Sequence, residues 1–113
     1  MKTSVDFSTQ FTKTLERLSR KYHHIVDEVE KLVDRLEEGE TPGDQIRGTG
    51  YTVYKTRLRS PDAGRGKSGG FRVIYYIRTT TWIILITIYA KSERADILPE
   101  EIRRIIEEYR ASH

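Results

Sequence analysis

The apolar residues in the first third of the chain change from a strand spacing to a helical spacing. Residues 3–7 alternate polar and apolar side chains, which predicts a short strand, and Ser8 is of a type favoured as a helix N-cap. Two stripes at helical spacing follow. They consist of Phe11, Leu15, Leu18 and Tyr22, and of Ile25, Val26, Val29, Leu32, Val33 and Leu36. The phase shifts at residues 22–24, which favours two antiparallel helices over one long bent helix, and Gly39 is predicted to close the second helix.

Three strand patterns come after a loop rich in glycine and proline at residues 39–50. They span residues 51–59, 71–78 and 82–90. The connection at residues 78–81 is short, which predicts that the last two strands form a hairpin. A final helix is predicted to begin near Pro99, because proline is favoured in the first helical turn.

The order of these elements, β-α-α-β-β-β-α, indicates the fold class. It predicts an α+β fold with a mainly antiparallel sheet, two N-terminal helices packed on one face and a C-terminal helix. With the helices on one face, the other face of the sheet is expected to be open. A chain of 113 residues has the size of one domain, so residues 1–113 are expected to form a single unit.

Positive charge is concentrated in the middle of the chain. The whole sequence carries 20 Lys and Arg against 17 Asp and Glu, a net charge of +3. Residues 45–94 hold ten basic and two acidic residues, a net +8, so the remainder is −5. Such a block in a small domain is typical of a protein with an anionic partner, nucleic acid first. The alternative is that a strand-rich region uses Lys and Arg for solubility.

Several classes of protein are disfavoured by what the sequence lacks. No segment approaches the roughly 20 apolar residues of a membrane span, and the N-terminus does not resemble a secretory signal. We therefore expect a cytoplasmic protein without a membrane partner. The chain has no cysteine, which excludes disulfides, thiolate zinc sites and thiol catalysis. Its three histidines lie outside the basic block, so neither histidine catalysis nor a metal or cofactor site is expected.

Strand parity brings basic and phenolic side chains together. Successive side chains of a strand point to opposite faces of the sheet. If neighbouring strands pair without bulges, Ile84, Ile86 and Ile88 lie in the core under the helices. The open face then gathers Lys55, Arg57, Arg59, Arg72, Tyr76, Tyr89 and Lys91. Between the first two long strands, a glycine-rich loop is expected to deliver Arg65 and Lys67 to an anion.

This surface suits two kinds of function. Cations can hold phosphates and tyrosines can stack bases, which gives RNA binding without catalysis. The same groups could also cleave RNA, because the 2′-hydroxyl is an internal nucleophile beside its own phosphodiester. A lysine can act as the base where neighbouring cations disfavour its protonated form.

Two segments of the chain match known sequence motifs. Residues 66–76 fit the pattern G-K-x-G-G-x-R-[VI]-I-Y-Y, and residues 85–97 fit L-x-T-I-Y-x-K-x-E-x-x-D-[IL]. Residues 43–46, followed by Gly48 and Gly50, fit a third short motif upstream. In these motifs and in the order of its elements, the chain resembles the RelE/HigB-type toxins of bacterial toxin–antitoxin systems, members of the RelE/ParE superfamily.

The resemblance implies an mRNA interferase, which cleaves mRNA on the ribosome and is neutralised by a cognate antitoxin. Such an antitoxin is expected to be a helix-turn-helix protein or to carry an acidic segment. The resemblance implies that Arg72 stabilises a phosphate and that Lys67 and Lys91 belong to the catalytic site. The residues expected to bind RNA or phosphate are Lys55, Arg57, Arg59, Arg65, Tyr76, Glu93 and Arg94.

The sequence departs from some RelE members at two catalytic positions. Those members carry an arginine where this chain has Ser92 and a tyrosine near the position of Leu98. The acid and base roles would then fall on Lys67, Lys91 or Tyr89.

Two further functions stay open from the sequence. A ParE-like toxin would bind a protein target such as DNA gyrase without catalysis, and an inactive relative would bind only RNA or a partner. The clustered cations and phenols favour the ribonuclease, because a gyrase-binding protein does not need cations on its sheet.

Overall fold

The computed structural model describes residues 2–61 and 70–113. Its elements, in chain order, are β1 (Ser4–Phe7), α1 (Thr9–Ser19), α2 (Ile25–Glu37), β2 (Asp44–Ile46), β3 (Val53–Leu58), β4 (Phe71–Thr79), β5 (Trp82–Ala90) and α3 (Pro99–Ser112). This confirms the predicted α+β class and the joint between the first two helices. The short strand β2 was missed, because it lies in a segment with the composition of a loop. The predicted anion-binding loop residues Arg65 and Lys67 lie outside the described residues.

The helix ends form as the sequence predicts. The Ser8 hydroxyl accepts a hydrogen bond from the Phe11 amide (2.9 Å) and donates one to the Ile86 carbonyl (2.6 Å). It therefore caps α1 and also attaches the start of that helix to β5. At the other end of the helical pair, Gly39 has φ +96° and follows α2. Its amide donates to the Leu36 carbonyl, which is one of the two bonds of a Schellman motif.

The five strands form one sheet in the order β1-β5-β4-β3-β2. The strands β2 to β5 pair antiparallel with their neighbours, and β1 pairs parallel with β5. The predicted hairpin of β4 and β5 is confirmed. Among the described helices, none is long and apolar enough to cross a membrane.

Helices cover both faces of the sheet. The prediction that the two N-terminal helices pack on one face is confirmed, and the expectation that the whole of the other face is open is wrong, because α3 packs there. Helices α1 and α2 pack on one face, where the buried strand residues include Phe71, Val73 and Tyr75. Helix α3 packs on the opposite face, over Ile74 and Ile84 among others. The physical reason is that β4 and β5 carry apolar residues at odd and at even positions, so that apolar side chains point to both faces of the sheet. Because burying each large aliphatic side chain contributes about 1.5–3 kcal/mol, both faces need cover.

A β-bulge in β5 changes the predicted faces of its residues. Val73 pairs with Ile88 and Ile74 with Thr87, but Tyr75 then pairs with Leu85, so Ile86 is the extra residue. Ile86 therefore packs under α3, whereas Ile88 lies under α1 and α2. The prediction that Ile84, Ile86 and Ile88 lie together on the face under the N-terminal helices is therefore correct for Ile88 and wrong for Ile84 and Ile86, which lie under α3. The bulge has a further consequence, since it brings Tyr89 to the α3 side of the sheet.

Candidate RNA-binding and catalytic site

Part of the α3 side of the sheet carries a row of polar side chains at the edge of the helix. Arg57 of β3 is directly opposite Arg72 of β4, and Arg72 is directly opposite Tyr89 of β5. We call these three residues the open row. Arg57 is exposed, Arg72 is half-buried, and Tyr89 is buried at the edge of the core under α3. Neighbours across strands lie about 5 Å apart at Cβ, so the two guanidinium groups can reach one phosphate.

Gly70 fixes the backbone beside the open row. It has φ +63°, and a Cβ at this position would lie 2.3 Å from the Leu58 carbonyl oxygen. Its own carbonyl accepts a hydrogen bond from the Lys91 amide (3.0 Å). Only glycine combines this conformation with such a close approach. The second glycine of the G-G-x-R motif thus joins the ends of β3, β4 and β5, with Arg72 two residues further on.

Asp96, for which the sequence predicts no role, lies between the open row and α3. Its Oδ1 atom accepts hydrogen bonds from the Ile97 amide (2.8 Å), Lys55 Nζ (3.3 Å) and Tyr89 Oη (3.4 Å). The Ile97 amide, and then Lys55, hold the pKa of the Asp96 carboxyl below its usual range. Asp96 occupies the D position of the motif L-x-T-I-Y-x-K-x-E-x-x-D-[IL], and this match is the sequence signal that could have identified it.

The neutral form of the Tyr89 hydroxyl is favoured. Burial raises the pKa of Tyr89, and the negative charge of Asp96 raises it further. The positive charges of Arg72 and Arg94 act in the opposite direction. At neutral pH the hydroxyl therefore stays protonated, as a hydrogen-bond donor.

The segment after β5 is held by several of the predicted site residues. Lys91 Nζ donates to the Ala95 carbonyl (2.6 Å), and Arg94 Nε donates to the Asp96 carbonyl (2.8 Å). Glu93 forms an ion pair with Arg17 of α1 (3.2 Å). Arg94 also pairs with Glu101 of α3. Lys91, Glu93 and Arg94 thus lie beside the open row, and their side chains hold the segment after β5 against itself and against α1 and α3.

Two arginines at the end of β3 have a different environment. Arg57 and Arg59 line an open cavity of about 490 Å³ together with Ser60, Pro61 and Gly70. Neither guanidinium has a hydrogen bond or ion pair to another residue within 2–61 or 70–113. Both arginines are exposed, and unlike Lys91 and Arg94 they have no such partner among the described residues, so both are available to an incoming anion.

Tyr76 lies on the predicted face but under α3. It is 4% exposed, and its hydroxyl accepts a hydrogen bond from Arg110 of α3 (2.8 Å). Its ring also packs edge-on against Tyr51 at 5.4 Å. Parity placed Tyr76 beside the cations correctly, but it could not show that a helix covers this part of the face. Leu98, at one of the two departures from the family pattern, is 69% exposed just before α3.

The residues that the structure describes contain no group of three or more His, Asp or Glu side chains arranged to hold a metal ion. The site instead consists of arginines, a lysine, a buried phenol and one aspartate. Such a set can bind phosphate, hold a strand of RNA and stabilise negative charge that develops on phosphorus.

Comparison with protein families agrees with this geometry. A family model described as the RelE toxin of the RelE/RelB toxin–antitoxin system matches residues 9–111, from the first turn of α1 to the last turn of α3. The match includes every described residue of the open row and its surroundings. A toxin of this family has a cognate antitoxin as its partner. The chain belongs to the RelE family of toxins of toxin–antitoxin systems.

Proposed function

We propose that this toxin is an mRNA interferase, a cytoplasmic endoribonuclease that cleaves mRNA on the ribosome. The observation that supports this most directly is the open row, in which Arg57, Arg72 and Tyr89 are adjacent across three strands. Two guanidinium groups suit a phosphodiester, because each can donate two hydrogen bonds to its non-bridging oxygens. A toxin that acted only by binding a protein would not need cations aligned in this way.

In the proposed reaction the RNA supplies its own nucleophile. The 2′-oxygen attacks the adjacent phosphorus, the bond from phosphorus to the 5′-oxygen breaks, and the 2′-proton passes to a base on the enzyme. The leaving 5′-oxygen takes a proton from an acid. The products are a 2′,3′-cyclic phosphate and a 5′-hydroxyl. Arg72, with Arg57 beside it, stabilises the extra negative charge of the pentacovalent phosphorus.

Proton transfer is assigned to residues at the edge of the open row. Lys91 and Lys67 are the candidate proton-transfer groups. The assignment of Lys67 rests on the sequence alone, because this residue lies outside the described residues. Tyr89 is 5% exposed and its hydroxyl donates to Asp96, so it supports the site through that carboxylate rather than by stacking on a base. Burial raises the pKa of Tyr89, which makes it a weak acid and favours the role of donor.

The antitoxin is proposed to neutralise the toxin by covering the open row with an acidic segment. Arg57 and Arg59 are accessible to such a segment, and their charge would steer its approach. The association rate should therefore fall steeply as the salt concentration rises. A rate that does not depend on salt would place the antitoxin elsewhere on the toxin.

The test of the proposed function is mapping of RNA ends after induced expression. We expect new mRNA fragments with 5′-hydroxyl ends and 2′,3′-cyclic or 3′-phosphate ends. With a short RNA and no ribosomes, any cleavage should persist in EDTA, since the proposed mechanism uses the 2′-hydroxyl rather than metal-activated water. Fragments with 5′-phosphates would contradict the mechanism. Intact mRNA together with poisoned DNA gyrase would instead support the ParE-like function.

A further inference from the structure

Three donors from different parts of the fold converge on one oxygen of Asp96. Lys55 comes from β3, Tyr89 comes from β5, and the third donor is the Ile97 amide before α3. Strand β4 lies between β3 and β5, so the aspartate joins two strands that are not neighbours in the sheet. The convergence therefore fixes the Lys55 ammonium and the Tyr89 hydroxyl relative to each other.

Stability alone does not account for this arrangement. The Asp96 side chain is 66% exposed, and the side chain of Lys55 is 34% exposed. Ion pairs at such exposure typically contribute at most about 1 kcal/mol, and often nothing measurable. The bond to the Ile97 amide, in contrast, sets the direction of the carboxylate. The aspartate is thus held firmly by the backbone and in turn holds two side chains at the border of the open row.

The donor capacity of Lys55 is not used up by this contact. An ammonium carries three N–H donors, and one of them points to Asp96 at 3.3 Å. The remaining donors can bind the phosphate that Arg72 and Arg57 also contact. The Tyr89 hydroxyl, in contrast, has a single O–H donor, and that donor is directed at Asp96.

We propose that Asp96 is a positioning residue: the Ile97 amide and the Tyr89 hydroxyl hold its carboxylate in place, and the carboxylate in turn fixes the Lys55 ammonium as a hydrogen-bond donor for the RNA phosphate. This proposal rests on the proposed ribonuclease function. It has a mechanistic consequence, because the single hydroxyl proton of Tyr89 is engaged by Asp96, so Tyr89 is not the acid of the reaction and Lys55 acts as a donor to the phosphate. The proton transfers belong to other residues of the site.

The first experiment measures single-turnover RNA cleavage by a double-mutant cycle. Asp96→Asn should lower the cleavage rate constant by about ten- to hundredfold, the size of effect expected when a reacting group is misplaced, and should change the KM less. Lys55→Met should be strongly impaired, whereas Lys55→Arg should keep most of the activity, because arginine remains a charged donor. Adding Asp96→Asn to Lys55→Met should cost little more. Fully additive losses, or a Lys55→Arg variant as inactive as Lys55→Met, would overturn the proposal.

The second experiment needs no RNA. The pKa of Tyr89 is followed by NMR of tyrosine-labelled protein, with Arg72, Arg94 and Asp96 as the charged groups that act on the phenol. Asp96→Asn should lower this pKa, because it removes both the negative charge and the carboxylate acceptor. Glu30→Gln, on the exposed surface of α2, is the control and should leave it unchanged.

The two experiments separate failure of the positioning role from failure of the proposed function. An unchanged Tyr89 pKa in Asp96→Asn would show that the aspartate does not hold the phenol, whatever the protein does to RNA. If the wild-type protein does not cleave RNA but the pKa shifts as expected, the ribonuclease proposal fails and the contact itself is upheld.

Discussion

The α3 side of the sheet has two halves that are built from the same strands and differ in what covers them. In the covered half, Ile74, Tyr76 and Ile86 lie under α3 and are at most 4% exposed. In the open half, Arg57 and Arg72 continue the same strands one or two rows further on. The strand pattern is the same in both halves. Whether a position belongs to the core or to the site is decided by where α3 begins.

The segment between β5 and α3 sets that starting point. Lys91 and Arg94 donate to the carbonyls of Ala95 and Asp96, which folds residues 91–98 back on themselves. Arg94 also pairs with Glu101 in the first turns of α3. The helix therefore starts beside the open row and runs over the apolar half. A short polar segment thus decides which part of a continuous sheet face remains accessible.

The cations of the two halves are also used differently. In the covered half, Arg110 donates to the Tyr76 hydroxyl, and Arg78 lies over the Trp82 ring at 4.5 Å. In the open half, Arg57 has no such contact with another described residue. Arginines that already have aromatic or hydroxyl partners stabilise the fold, while one without such a partner is available to a ligand.

The largest expected effect comes from breaking the covered half. Ile86 is fully buried, so Ile86→Ala should lower the free energy of unfolding by about 2–5 kcal/mol through lost burial and the cavity left behind. Urea unfolding followed by circular dichroism measures this. The exposed Arg104→Ala on α3 is the control and should stay within about 0.5 kcal/mol of wild type. A similar stability for both variants would mean that α3 does not pack firmly on this half.

The second prediction addresses the open half. Arg72→Ala should leave the protein folded and lower the cleavage rate by about a hundredfold, or about 3 kcal/mol, as expected for one lost transition-state contact. Growth arrest on expression should be relieved. The matched control is Arg78→Ala, which removes an arginine of the same face and strand at the covered end. Undiminished toxicity of folded Arg72→Ala, or equal loss in both variants, would remove the open row from the site.

The sequence predicted most elements of this fold because its local signals are strong. The cap at Ser8, the glycine after α2, the β4–β5 hairpin and the start at Pro99 each depend on a few adjacent residues. The arrangement of the helices on the two faces depends on the whole sheet. The sequence did contain one indication that both faces are covered, because β5 carries apolar residues at odd and even positions alike.

The site was predictable in part for the same reason. Parity on β3 and β4 placed Arg57 beside Arg72, because that pairing has no bulge. The bulge at Ile86 and the cover over Tyr76 are not visible in a pattern of alternation, since the first is a shift in the pairing of β4 with β5 and the second is a contact with α3. Asp96 acquires its partners only when β3, β5 and the segment before α3 meet, which no local motif describes.

A smaller effect is expected on RNA affinity. Arg57→Ala should weaken binding of a short RNA with a 2′-deoxy substitution at the cleaved position by roughly fivefold, or about 1 kcal/mol. The slope of log affinity against log salt should become shallower by about 0.7, the value for one single-strand phosphate contact. Fluorescence anisotropy at several salt concentrations gives both quantities. Arg104→Ala on α3 should change neither, and an equal change in both variants would show only a general effect of net charge.

The smallest expected effect concerns the carboxylate that borders the two halves. The pKa of Asp96 is lowered in the folded protein, so its contribution to stability is present above the ordinary aspartate pKa of about 3.9 and is lost as the pH falls through the lowered value. Asp96→Asn should therefore be less stable than wild type at pH 7, by well under 1 kcal/mol because the side chain is mostly exposed. The difference should vanish near pH 2 in urea unfolding. A difference that grows in acid would reverse the assigned direction, and one of several kcal/mol at pH 7 would make Asp96 part of the structural core rather than of the site.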